Sequence, residues 1–132
     1  MNARGAAWWA LMILGAGFLA NGAAMLFAPE PWFARVASST GAFNPHLVRD
    51  VGVAYAASGI AALWAARTPA WRAPLAALSA LFQGGHAVIH LFDVLSGAQP
   101  PSHLIEDFPV IYLPSAILVA IALRSRQSTR AQ

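Results

Sequence analysis

The stretch Leu75–Leu95, LAALSALFQGGHAVIHLFDVL, decides the fold. It is long and apolar enough to cross a bilayer, which takes about 20 residues. It also carries five polar side chains that share one helix face at about 100° per residue: Ser79, Gln83, His86, His90 and Asp93. An ionisable group at mid-membrane costs about 2.5–3.5 kcal/mol. The polar face is therefore predicted to contact other helices or a wet cavity.

The composition extends this interpretation to the whole chain. Of the 132 residues, 58% are hydrophobic and only 10% are charged, and the mean hydropathy is +0.57. Soluble domains carry about 25% charged residues, so lipid is the predicted solvent. Apolar runs at about 6–28, 46–66, 74–95 and 108–123, with a polar tail at 124–132, predict one all-α domain. We expect an integral membrane bundle of four transmembrane helices.

The basic residues predict the orientation of this bundle. All eight are arginines, against five acids, which gives a formal net charge of +3 and a pI near 10.7. They stand at the ends of apolar runs and form no patch, so nucleic acid is not a predicted partner. Only Arg35 and Arg49 lie on one side; the other side has Arg4, Arg67, Arg72, Arg124, Arg126 and Arg130. The asymmetry predicts that both termini lie in the cytoplasm. We expect the membrane to be a bacterial cytoplasmic membrane.

The same topology sorts the titratable groups to the opposite side. All four histidines and all five acids fall at mid-depth or in the outer half of the membrane. There is no cysteine, which excludes disulfides, thiolate ligands and thiol nucleophiles. This sorting of titratable groups is the main functional signal, because several segments contribute to it.

The spacing of His86, His90 and Asp93 suits metal binding. Two histidines one helical turn apart can hold one ion. With His46 and Asp50, which share a face of the second span, they make a candidate site of nitrogen and oxygen ligands. Such a set fits a divalent Zn, Fe, Mn or Cu ion.

Other functions use the same groups. A small lipophilic or polar ligand would also contact a further set of side chains: Asn44, Arg49, Gln83 and Tyr112. A membrane enzyme would use His86 or His90 as base, with Asp50 or Asp93 assisting, in isomerisation, cyclisation or quinone-linked redox chemistry. A third alternative is a structural subunit of a membrane complex, in which polar groups only hydrogen-bond across helices. A homo-oligomer is also open.

Several local expectations accompany these alternatives. Asn44 is predicted to cap the second span, with Pro45 in its first turn. Arg49 is expected to pair with Asp93 or Asp107, or to hold a lipid phosphate. Asp107 is expected to cap the last span. His103 is expected to be exposed, and Pro109 and Pro114 to kink the last helix.

The segment NPHLVRDVG at 44–52, followed by the helix with His86, His90 and Asp93, resembles small bacterial four-span membrane proteins of the DoxX-like kind. The resemblance covers most of the chain. It implies a four-helix membrane bundle and a link to quinone-coupled oxidation, which would favour a lipid-soluble redox partner. It implies no catalytic residues.

Overall fold

The computed structural model describes residues 5–130, so Arg4 and residues 131–132 of the tail lie outside the described residues. Four long helices make up most of the fold: α1 (Ala6–Phe27), α3 (Pro45–Arg67), α4 (Arg72–Leu95) and α6 (Leu113–Arg130). Two short helices, α2 (Pro29–Val36) and α5 (His103–Glu106), lie in the connections. Residues 5–130 contain no strand. The predicted all-α bundle is confirmed, and the described residues contain four helical segments long and apolar enough to cross a membrane.

The start of α3 follows the sequence prediction closely. The Asn44 side chain accepts hydrogen bonds from the backbone amides of His46 at 3.0 Å and Leu47 at 3.2 Å. Pro45 occupies the first helical position, where a missing amide costs nothing. The cap fixes the residue at which the second span begins, and therefore the position along the bundle axis of the side chains in its first turns.

Helices α1 and α3 run antiparallel and meet through glycines. A Cβ atom added at Gly22 would lie 2.6 Å from the carbonyl oxygen of Gly52, and one at Gly59 would lie 2.6 Å from the backbone nitrogen of Leu19. No side chain fits at such distances, so the two backbones are in direct contact, as small residues allow in membranes. This contact fixes the rotation of α3 about its own axis.

The remaining spans pack in chain order, α3 on α4 and α4 on α6. The apolar core that they share lies in the half of the bundle that contains the start of α1 and the end of α6; its largest members include Leu11, Phe18, Leu118 and Ile121. At that end Arg67 donates to the carbonyl of Leu63, and Arg72 to that of Ala65, each at 3.3 Å. These two arginines thus satisfy carbonyls in the last turns of α3.

The last span begins with a wide helical turn. Phe108–Tyr112 is π-helical and leads directly into α6. The amides of Ile111 and Tyr112 both donate to the carbonyl of Asp107, at 2.8 and 3.3 Å. The sequence predicted a kink from Pro109 and Pro114; the structure has this π turn, which inserts extra backbone before the α-helix.

Candidate functional site

The polar face of α4 divides into two clusters. In the first, which we call the serine network, Ser58, Ser79, Gln83 and Ser115 join α3, α4 and α6. The hydroxyl oxygens of Ser58 and Ser79 lie 2.8 Å apart, and the Gln83 amide donates to the Ser58 hydroxyl at 3.2 Å. The Ser115 hydroxyl bonds to the backbone carbonyls of Gln83 at 2.9 Å and Ile111 at 2.7 Å. All four residues are buried.

The second cluster lies one to two turns further along α4, and we call it the histidine cluster: His86, His90, His103 and Asp107. The rings of His86 and His90 are 4.6 Å apart between centroids. Nδ1 of His90 lies 2.8 Å from Oδ2 of Asp107, and Nδ1 of His103 lies 4.0 Å from the same oxygen. A carboxylate from the turn before the last span is thus brought against two histidines from different helices.

Aromatic side chains adjoin the histidine cluster. The ring of Tyr55, from α3, lies 5.7 Å from that of His86 and 5.2 Å from that of Phe82. The rings of Phe82 and His86 are stacked, with 15° between their planes. The hydroxyl of Tyr112 is buried and has no hydrogen-bond partner among the described residues.

The contact between His90 and Asp107 determines the chemistry that the cluster can perform. An ionised carboxylate only accepts hydrogen bonds, so Nδ1 of His90 donates to it in that state. The ring is then held in one orientation, and Nε2 is left as the atom that can take a proton or a ligand. The His90 side chain is 31% exposed and that of Asp107 is 15% exposed, so the pair is partly buried but can still be reached from outside the protein.

His46 and Asp50 do not join this cluster, contrary to expectation. They contact each other, with Nε2 of His46 3.4 Å from Oδ2 of Asp50, and their side chains are 87% and 61% exposed. The sequence correctly placed the two on one face of α3. That face points outward, because the glycine face of α3 is held against α1 and lies on the opposite side of the helix.

Other predicted site residues have local roles. The carboxylate that contacts His90 is that of Asp107. Asp93 is a half-buried residue at the end of α4 whose backbone carbonyl accepts from Ser96 and Gln99. Nε of Arg49 donates to the carbonyl of Leu26 at 3.3 Å, so its expected pairing with Asp93 or Asp107 is replaced by a contact with the end of α1. Asn44 acts as the helix cap described above.

Two residues of the cluster were assigned differently from the sequence. Asp107 was expected to cap the last span, but its side chain makes no capping hydrogen bond and contacts His90. His103 was expected to be exposed, but its side chain is only 26% exposed. The spacing of His103 and Asp107, one helical turn apart, is the sequence signal that could have joined them.

Within residues 5–130, no group of three or more His, Cys, Asp or Glu side chains is arranged to hold a metal ion. The rings of His86 and His90 are adjacent, and further ligands would have to complete a metal site there.

No known protein family matches the sequence. No curated protein or solved structure matches it either. The DoxX-like resemblance therefore stays a prediction.

Proposed function

We propose that this membrane protein binds a small lipophilic ligand at the histidine cluster. The observation that carries the proposal is the 2.8 Å contact between His90 and Asp107. A carboxylate behind an imidazole orients the ring and makes its other nitrogen a better base. Holding a half-buried imidazole in one orientation within a membrane span costs free energy, and ionisable residues in such spans generally have a function.

The surroundings favour a ring-shaped ligand with a hydroxyl or carbonyl group. Tyr55 and Phe82 present aromatic surface next to His86, and aromatic rings stack favourably on other rings. Among the described residues the Tyr112 hydroxyl has no hydrogen-bond partner, so a ligand oxygen that reached it would satisfy a buried polar group. A quinone or its quinol has both features, and the DoxX-like resemblance favours the same class.

Binding of decylubiquinone and its reduced form to the purified protein in nanodiscs tests the proposal. His90→Ala should weaken the affinity about tenfold, because a hydrogen bond involving a charged pair is worth about 1.5–3 kcal/mol. His46→Ala is the matched control, since it removes the same side chain from the exposed His46–Asp50 pair at the same end of the bundle. No saturable binding, or equal affinities for the two variants, would contradict the proposal.

A second candidate function uses the same contact for proton transfer. With Nδ1 of His90 bonded to Asp107, Nε2 is placed to act as a general base, and the carboxylate stabilises the imidazolium that forms. Isomerisation or quinol oxidation of a membrane-soluble substrate would need such a base. Turnover of a lipophilic substrate by the wild type, with loss in His90→Ala and retention in His46→Ala, would favour an enzyme over a binding protein.

A divalent metal ion is the alternative ligand. His86 and His90 would supply nitrogen ligands, and Asp107 would hold the His90 ring from behind. Metal analysis of protein purified after growth with added zinc, iron, manganese or copper distinguishes this ligand from an organic one. Equal metal content in the wild type and in the His86→Ala/His90→Ala double variant would exclude a metal at the cluster.

A further inference from the structure

A groove lies between α1 and α6, at the opposite end of the bundle from the histidine cluster. It is open to the surface and has a volume of about 360 Å³. Its walls are made largely of small apolar side chains from both helices, with an arginine on one wall: Ala6, Ala7, Ala10, Ile117, Ala120 and Arg124. The lining is therefore suited to a hydrocarbon chain with a charged group at one end.

The packing of α1 explains why the groove is there. Helix α1 turns its glycine face to α3, with Gly15, Gly22, Gly52 and Gly59 in direct contact. At the groove itself α1 contributes only alanines, Ala6, Ala7 and Ala10, while its larger side chains such as Leu11 pack in the core. Alanine side chains are too short to fill the space between two helices, so a channel remains along the surface.

The charge of this end of the bundle favours an anionic occupant. Arg124 follows Ala120 by four residues and Ile117 by seven, so the three share one face of α6 and all line the groove. None of the five acids in the chain lies at this end, because each belongs to the opposite ends of the spans or to the loops beyond them: Glu30, Asp50, Asp93, Glu106 and Asp107. The field at the groove is therefore positive.

We propose that the groove is a binding site for an anionic phospholipid. One acyl chain lies along the alanine walls, and the phosphate contacts the guanidinium of Arg124, whose positive charge and five N–H donors can serve a phosphate oxygen beside a protein partner. Basic pockets between transmembrane helices take acidic lipid head groups by this combination of charge and shape.

Lipid retention measured by native mass spectrometry tests the proposal. The full chain is reconstituted in an equimolar mixture of phosphatidylglycerol and phosphatidylcholine and then released into detergent. The wild type should retain phosphatidylglycerol in preference to phosphatidylcholine. Arg124→Gln should reduce that retention about fivefold, because one arginine near the membrane surface is worth about that factor.

Two further variants test separately the charge of Arg124 and the shape of the groove. Arg126→Gln is the matched control: it removes an arginine from the same helix end that does not line the groove, and retention should be unchanged. Ala120→Leu keeps the charge but fills the groove, and it should also reduce retention. Unchanged melting temperatures in detergent show that the variants are folded.

Three results would overturn the proposal. The first is equal retention of the two lipids by the wild type, and the second is an equal loss for Arg124→Gln and Arg126→Gln. The third is displacement of the retained lipid by inorganic phosphate alone, which would show that the site recognises a free anion and has no use for the acyl chain.

Discussion

Ser79 and Gln83 lie on the same face of α4 as His86 and His90, yet the two pairs have different surroundings. Ser79 is 0% exposed and Gln83 is 3% exposed, and both are bonded to α3 within the serine network. The side chain of His90 is 31% exposed, and it shares the carboxylate of Asp107 with His103 of α5. One polar helix face thus serves two clusters that differ in burial and in chemistry.

The difference separates polar groups that hold helices together from polar groups that are available for chemistry. Hydroxyls and an amide cannot change charge in the accessible pH range. In the serine network the side chains of Ser58, Ser79 and Gln83 bond to one another between α3 and α4, and the Ser115 hydroxyl of α6 donates to the backbone carbonyl of Gln83. Imidazoles can gain or lose a proton, and a partly exposed imidazole can meet a ligand. Substitutions in the serine network should therefore change stability, and those in the histidine cluster should change binding.

The largest effect on stability is expected from Ser79→Leu. Extra methylene groups at a fully buried position force neighbouring helices apart, and the hydroxyl contact with Ser58 is lost. We expect the free energy of unfolding to fall by about 2–3 kcal/mol, measured by titrating the protein in mixed micelles with a denaturing detergent. Leu78→Ala, at an exposed position one residue earlier, is the control; an equal loss in both variants would contradict the assignment.

Gln83→Met should have a smaller effect. Methionine keeps most of the side-chain volume but cannot donate to Ser58, so one interhelical hydrogen bond is lost. The free energy of unfolding should fall by about 0.6–1 kcal/mol in the same titration, with decylubiquinone affinity unchanged. A tenfold loss of affinity in this variant would place Gln83 with the histidine cluster and remove the distinction.

Asp107→Asn should change ligand binding more than stability. The amide retains the size of the carboxylate and an oxygen that can accept from His90, so a neutral hydrogen bond replaces a charged one and the free energy of unfolding should fall by about 1 kcal/mol or less. The negative charge behind the ring is lost, and the affinity for decylubiquinone should fall by several-fold. Binding that is insensitive to this change would show that the carboxylate has only a structural role.

His46→Ala should have the smallest effect of all. Both side chains of the His46–Asp50 contact are exposed, and exposed ion pairs contribute less than about 1 kcal/mol to stability. We expect the free energy of unfolding to change by no more than about 0.5 kcal/mol, and the affinity for decylubiquinone to stay the same. A large effect on either measurement would mean that the outward face of α3 is covered by a partner under the conditions used.

The fold was predictable from local signals. Apolar runs of bilayer length predicted the four spans, and the sequence Asn44-Pro45 predicted where the second begins. These features depend on residues close together in the chain and on the length that a membrane imposes. The π turn at Phe108–Tyr112 was not predicted, because the prolines there indicated only that the helix would be irregular.

The candidate site was predictable only in part, since it depends on helix rotation. The sequence placed His86 and His90 on a face turned to other helices, and the structure brings them together with Asp107. It also placed His46 and Asp50 on one face but could not tell which way that face points. The rotation of α3 about its axis is set by the contact of Gly52 and Gly59 with α1. The hydrophobic periodicity of one segment does not show how closely it packs against another segment that is distant in the sequence.

The π turn before α6 has a consequence for loop length. The backbone carbonyl of Asp107 accepts hydrogen bonds from three amides of that turn, those of Val110, Ile111 and Tyr112, and its side chain contacts His90. Deleting one residue between Pro109 and Tyr112 would rotate the preceding backbone by about 100° relative to α6. The membrane span would still be long enough, but the carboxylate would be carried away from the imidazole. Insertions and deletions should therefore be tolerated between Ser96 and Pro101 far better than in the five residues after Asp107.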